Sequence, residues 1–193
     1  MRKENIRAIK TKSSIKKQFL NLLKNKSLDL ISVIDIAREC KINRNTFYLH
    51  YKSINDLFFS LKQEIFSLFL SPLQTFTIDE LTYNIDIILS LYSNIFSTRQ
   101  NVKTFLFEIK ESDTILNELE NEISNIVFKR YKKTIYTQEY RYKVNIMFIV
   151  FGYFHSIKQY VLSNNSNFEI FSERISLLLN KGLYKTYNHT LHR

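Results

Sequence analysis

A chain of 193 residues, 45% of them hydrophobic, can close the core of one ordinary domain or two small ones, which excludes global disorder. Two glycines and one proline are too few turn formers for a sandwich or a barrel, and favour long helices joined by short polar loops. The net charge of +10 is uneven: residues 1–62 hold 14 Lys and Arg against 5 Asp and Glu, and the remainder holds 14 against 13, so a basic surface suited to a polyanion is confined to the N-terminal third.

In chain order, residues 1–9 form a basic, weakly patterned arm. A first helix is expected from about Thr11 to Lys24, with Ile15, Phe19, Leu22 and Leu23 inward, and Asn25-Lys26-Ser27 breaks it. Leu28 and Ile31 then fill the space beneath. Val33, Ile36, Ala37 and Cys40 follow at i, i+3, i+4, i+7 spacing, one face of a short helix. Ile42 plugs a turn and Asn43 caps a second helix, on which Phe47 and Tyr51 share the inner face. Arg44, Asn45, Tyr48 and Leu49 are left pointing outward, the layout of a DNA-reading helix-turn-helix.

Ser53 caps a fourth helix, expected over 54–70 because Pro72 disfavours helix at the residue before it. The stretch from Pro72 to Thr77 is the best domain boundary, and Thr77-Ile78-Asp79-Glu80 reads as a capping box for the next helix, which carries Leu81, Ile85, Ile88, Leu89, Tyr92 and Phe96. Further helices are expected at about 101–110 and 113–136. The latter has acids early and Lys129, Arg130, Lys132 and Lys133 late, an order that complements a helix dipole. The basic cluster suits a solvated helix end better than a second DNA contact. Two final helices, about 138–162 and 168–185, close the chain; the first is apolar over so wide an arc that both its faces need cover. The expected organisation is a DNA-binding domain at 1–53, the linking helix at 54–70, a C-terminal regulatory and dimerisation bundle at 72–187 and a frayed tail at 188–193.

Other functions find no support. Cys40 is the only cysteine, so no intrachain disulfide is possible and a reducing compartment fits. The N-terminus lacks the apolar core of a signal peptide, and the apolar stretch from Val144 to Phe154 is interrupted by Asn145 and too short for a bilayer. A cytoplasmic protein without membrane contact is expected. Two glycines leave no phosphate-cradling loop, and the four histidines are scattered, so neither an enzyme, a metal site nor a cofactor is expected.

Residues 10–62 resemble the DNA-binding domain of the TetR/AcrR transcriptional regulators on Ile36-Ala37, Thr46-Phe47-Tyr48, His50-Tyr51, Ser53 and Asp56-Leu57. The run Asn43-Arg44-Asn45-Thr46-Phe47-Tyr48-Leu49-His50-Tyr51 is similar to that of the DhaS-like subgroup. Two positions depart from the pattern. Lys41 stands where the family has a turn glycine, and Ile54-Asn55 replaces the usual Lys-Glu pair. The resemblance implies an all-α fold: a three-helix helix-turn-helix head, then a C-terminal helical bundle. One recognition helix reads too few base pairs alone, so a homodimer on a palindromic operator in double-stranded DNA is expected, paired through the apolar last two helices at Val144–Leu162 and Phe168–Leu183.

By this pattern and by residue chemistry, Arg44 can pair with guanine, Asn45 with adenine, and Leu49 can touch a thymine methyl. Ser32, Thr46, Tyr48, His50 and Lys52 suit phosphates, which fix register without reading sequence. His50 suits packing against the fourth helix as well, and Tyr51 suits the core better than DNA. Arg2, Lys3 and Arg7 can track a minor groove or backbone, or lie in a disordered arm. In the C-terminal bundle a small-molecule effector would be lined by Tyr92, Phe105, Phe148, Phe151 and His155, although an aromatic stripe at helical spacing is more often core; control by a protein partner is the alternative. From another class, the chain could be a helical interaction module that does not bind DNA.

Overall fold

Ser32, Asn43 and Ser53 each stand at the start of a helix, and their side chains settle where the N-terminal third of the chain folds. The computed structural model describes residues 2–77, 85–132, 139–163, 170–171, 173–175 and 177–178. All the regular structure among them is helical: α1 (Arg2–Leu23), a 3-10 turn (Leu28–Leu30), α2 (Val33–Cys40), α3 (Arg44–Tyr48), α4 (Ile54–Thr75), α5 (Ile85–Thr98), α6 (Gln100–Lys103), a π turn (Thr104–Glu108), α7 (Ser112–Lys132) and α8 (Glu139–Leu162). The all-α fold expected from the sequence is therefore the fold observed. The expected capping box at 77–80 lies partly outside the described residues, as do most of the last expected helix and the tail at 188–193.

The chain forms two units. The first comprises residues 1–67 and 101–115, the second 68–100 and 116–193. In the first, Ile15, Phe19 and Leu23 of α1, Ile36 of α2, Phe47 of α3 and Leu57, Leu61 and Ile65 of α4 are fully buried. Val102, Phe105 and Leu106 complete this core, the Phe105 ring lying 5.5 Å from that of Phe58. The expected regular helix at 101–110 is instead a single α turn followed by a π turn. The Ile109 amide reaches back to the Thr104 carbonyl at 3.2 Å, and four consecutive residues, Thr104 to Phe107, are buried. A regular 3.6-residue period would turn at least one of the four outward; the wider turn keeps them in. Glu108 pairs with Lys24 at 2.6 Å, and a Glu111 carboxylate oxygen accepts the Leu28 amide at 2.8 Å. Residues placed by the sequence with the C-terminal bundle thus belong to the N-terminal core.

In the second unit the ring of Phe69 meets those of Tyr92, Phe96 and Phe154 at 5.0 to 5.6 Å. The Tyr92 hydroxyl donates to the Phe69 carbonyl, and the Tyr153 hydroxyl to the Leu89 carbonyl, so both phenols are buried with their polar ends satisfied. Leu116, Leu119 and Ile123 line the inner face of α7, and Tyr153, Phe154 and Ile157 that of α8. Along the rest of α8, Val144, Met147 and Phe148 are exposed, Phe148 by 76%.

The expected end of the fourth helix at residue 70 is corrected: α4 runs through Pro72 to Thr75. Proline removes the amide that would bond to the Leu68 carbonyl and crowds that carbonyl, so the turn beyond it needs other support. Here the final turn is held from outside its own ladder. The Arg130 guanidinium donates to the carbonyls of Leu73 and Phe76, and Leu73 is buried. Of the late basic cluster on α7, Arg130 is therefore a helix cap rather than a solvated charge.

Candidate nucleic-acid interface

The turn between α2 and α3 is built on Lys41. Its φ of 53° and ψ of 44° place it in the left-handed region. The Ile42 amide bonds to the Ala37 carbonyl at 2.9 Å, and the Lys41 amide to the Arg38 carbonyl at 3.1 Å. This pair of bonds is a Schellman motif, which ordinarily carries glycine at the left-handed position. The lysine that departs from the family pattern therefore holds the geometry that a glycine would give.

Asn43 then caps α3, its side-chain oxygen accepting the Asn45 amide at 2.9 Å. Phe47 is buried, with the ring of Tyr48 edge-on to it at 5.7 Å. This anchor turns the rest of α3 outward. Arg44 and Asn45 are exposed, Leu49 is 82% exposed and Tyr48 49% exposed. Lys52 is exposed, whereas Thr46 and His50 are half-buried. Tyr51 lies in the core beneath the ammonium of Lys12. The expected base-reading side chains thus emerge together from one short helix, and Tyr48 and Lys52 lie beside them.

Ser32 is placed differently from a simple phosphate donor. Its hydroxyl donates to Asp35 Oδ2 at 2.7 Å and accepts the Asp35 amide, and its own amide donates to the same carboxylate at 3.0 Å. This capping box starts α2. These hydrogen bonds from the Ser32 hydroxyl and amide hold the Asp35 carboxyl below its usual range, with Lys26 and Arg38 adding attraction. The sequence reading singled out Ser32 but missed Asp35, although the Ser-x-x-Asp spacing signals it. At α4 the Ser53 hydroxyl accepts the Asp56 amide at 3.1 Å and Asp56 accepts that of Lys52 at 2.8 Å, so the Lys52 backbone is fixed while its side chain stays exposed.

The basic arm is part of α1. Arg7 and Lys10 are exposed, as are Ile6 and Ile9; the side chains of Arg2 and Lys3 lie outside the described residues.

The five aromatic and histidine candidates for an effector pocket are divided between the two units and differ in burial. Tyr92 is buried in the ring cluster of the second unit, Phe105 belongs to the core of the first, Phe151 is half-buried, and Phe148 and His155 are exposed. Among the described residues no His, Cys, Asp and Glu cluster could hold a metal, and no helix is long and apolar enough to cross a membrane.

No protein-family model matches the chain, and no curated protein matches its sequence. Solved structures do. The chain is similar to the fatty acid degradation regulator FadR from Bacillus halodurans, with a TM-score of 0.61 at 15% identity over 90% of this chain and 96% of that one. It is also similar to a TerR/AcrR family transcriptional regulator from Aquifex aeolicus, with a TM-score of 0.54 at 17% identity over 91% and 99% of the two chains. Over about nine tenths of its length the chain shares the fold of these two regulators, 90% and 91% of it being covered.

Proposed function

We propose that the chain is a DNA-binding transcriptional regulator that reads a palindromic operator as a homodimer in the cytoplasm. The observation that carries this reading is the outward cluster on α3, where Arg44, Asn45, Tyr48 and Leu49 stand exposed on a helix anchored by buried Phe47. An arginine and an asparagine at the start of a recognition helix can make bidentate pairs with guanine and adenine, and Leu49 offers an apolar surface for a thymine methyl. Tyr48 and Lys52 border the cluster as phosphate contacts, and Thr46 and His50 add to them from half-buried positions. Any contribution of Ser32 is indirect, by starting α2, since Asp35 engages both its hydroxyl and its amide.

One α3 reads too few base pairs to select a site, so two copies act together. Val144, Met147 and Phe148 of α8, with Leu177 and Leu178, are the apolar surface assigned to that pairing. Control lies in the second unit, through a small-molecule effector or a protein partner, and of the sequence-derived candidates in that unit Tyr92 is the buried one.

The test is a fluorescence-anisotropy titration of the full chain against its own upstream DNA. If a dimer makes about 6–10 phosphate contacts, affinity falls by roughly 10³–10⁵ between about 50 and 200 mM salt. Salt-insensitive binding, or none, would turn the assignment towards a helical interaction module.

A further inference from the structure

In the second unit two residues of α7 bury polar atoms that have no hydrogen-bond partner among the described residues. Glu120 is 2% exposed and Ser124 7% exposed, both on α7. Glu120 Oε1 and Ser124 Oγ have no hydrogen-bond partner among the described residues. Four residues apart, they lie on the same face of the helix, one turn from each other. They continue the row begun by buried Leu116 and sit beside the inner row of Leu119 and Ile123. Leaving one oxygen of a buried carboxyl without a partner is costly, and native structures hold few such groups. Burial holds the Glu120 carboxyl up at about 7, and the charge of Lys158 on α8 draws it back only in part; Oε1 has no hydrogen-bond partner among the described residues. One turn before Lys158 stands Phe154, whose ring belongs to the cluster of Phe69, Tyr92 and Phe96.

We propose that Glu120 and Ser124 are the polar end of a binding site within the second unit for a small organic cation with an apolar tail. The proposal deepens the regulator reading and rests on it, because it names the chemical class of the effector. An ionised carboxylate only accepts hydrogen bonds, and a serine hydroxyl can accept one as well, so the pair calls for a ligand rich in donors. An ammonium brings three donors together with the opposite charge. A fatty carboxylate brings neither: it would meet Glu120 as a like charge with no proton to give.

Isothermal titration of the full chain with octylammonium, octanol and octanoate separates the head groups at constant tail. Octylammonium is expected to bind at least about tenfold more tightly than the other two at about pH 8. Its affinity should fall about tenfold on going to about pH 6, because Glu120 takes up a proton near pH 7 while the probe stays charged; octanol should not respond. Glu120→Gln should abolish the preference for octylammonium and leave octanol binding intact. Ser124→Ala should weaken octylammonium alone, and with the pH series it carries the test if Glu120→Gln does not fold. Octanoate binding as tightly as octylammonium, three equal affinities, no heat from octylammonium, or a preference that survives Glu120→Gln overturns the proposal. A parallel DNA titration keeps the two readings apart. A chain that binds DNA but ignores octylammonium loses only the effector class, and one that binds octylammonium but no DNA loses the regulator reading.

Discussion

Lys41 is the only non-glycine residue at positive φ among the described residues, and it sits where α2 hands over to α3. A Cβ in the left-handed region costs roughly 1–2 kcal/mol, whereas glycine bears no such penalty. Lys41→Gly should therefore stabilise the chain by about 1 kcal/mol in urea unfolding while leaving the α2–α3 turn unchanged; a destabilised variant would show that the lysine side chain contributes more than the backbone strain removes. At the neighbouring positions proposed to contact DNA the two kinds of residue should separate. Arg44→Ala should lose about 1–3 kcal/mol at one base position and relax selection there, while Lys52→Ala weakens all sequences alike. Selection on randomised DNA measures both, and an unchanged base preference for the Arg44 variant would refute its role. At this scale the sequence was informative because chemistry and spacing coincide: Phe47 and Tyr51 one turn apart fix the inner face, and Arg44, Asn45 and Leu49 follow outward. The Ser32–Asp35 box was legible too, in a spacing that was not used.

Helix α2 is eight residues long, too short to persist on propensity alone, so its capping box matters. The Asp35 carboxyl is held below its ordinary range by the Ser32 hydroxyl and amide. A depressed carboxylate contributes stability at pH values above the unfolded pKa of about 3.9, and that contribution disappears as pH falls through the lower folded value. Unfolding followed by circular dichroism should show a loss of stability below about pH 4, and Asp35→Asn should be less stable at neutral pH but flatter in acid. Equal acid sensitivity in both proteins would locate the effect elsewhere. Element ends were less legible than element existence. Pro72 was read as a stop, but the partner that holds the turn beyond it, Arg130, lies 57 residues away. Likewise nothing near Leu28 announces Glu111, 83 residues further on. Long-range caps of this kind leave no local pattern.

For the whole molecule, the expectation that α8 needs cover on two sides acquires a specific face. Tyr153, Phe154 and Ile157 are turned into the second unit, and Phe148 is 76% exposed. Leu178 is 72% exposed, so an aspartate there costs little within one chain. If this surface pairs two copies, Leu178→Asp or Phe148→Asp buries an unpaired charge in the assembly and should yield a folded monomer by light scattering. A folded dimer in both variants would move the interface elsewhere. The helical class was legible from the scarcity of glycine and proline, and the head from its motif. The division into units was not, because it depends on residues 101–115 returning to the first core, and apolar periodicity does not record which core a helix joins.

That return has a consequence for the order in which the protein is made. Val102, Phe105 and Leu106 are fully buried in the same core as Phe19 and Phe47, so a nascent chain that has emerged only as far as residue 67 lacks part of its own interior. Helices α1 to α3 are synthesised early, but the core they share is not complete until residues 101–115 have left the ribosome, after the intervening 68–100. The head is therefore completed late in translation, and a fragment cut after α4 begins should expose the apolar surface around Phe58 that Phe105 covers.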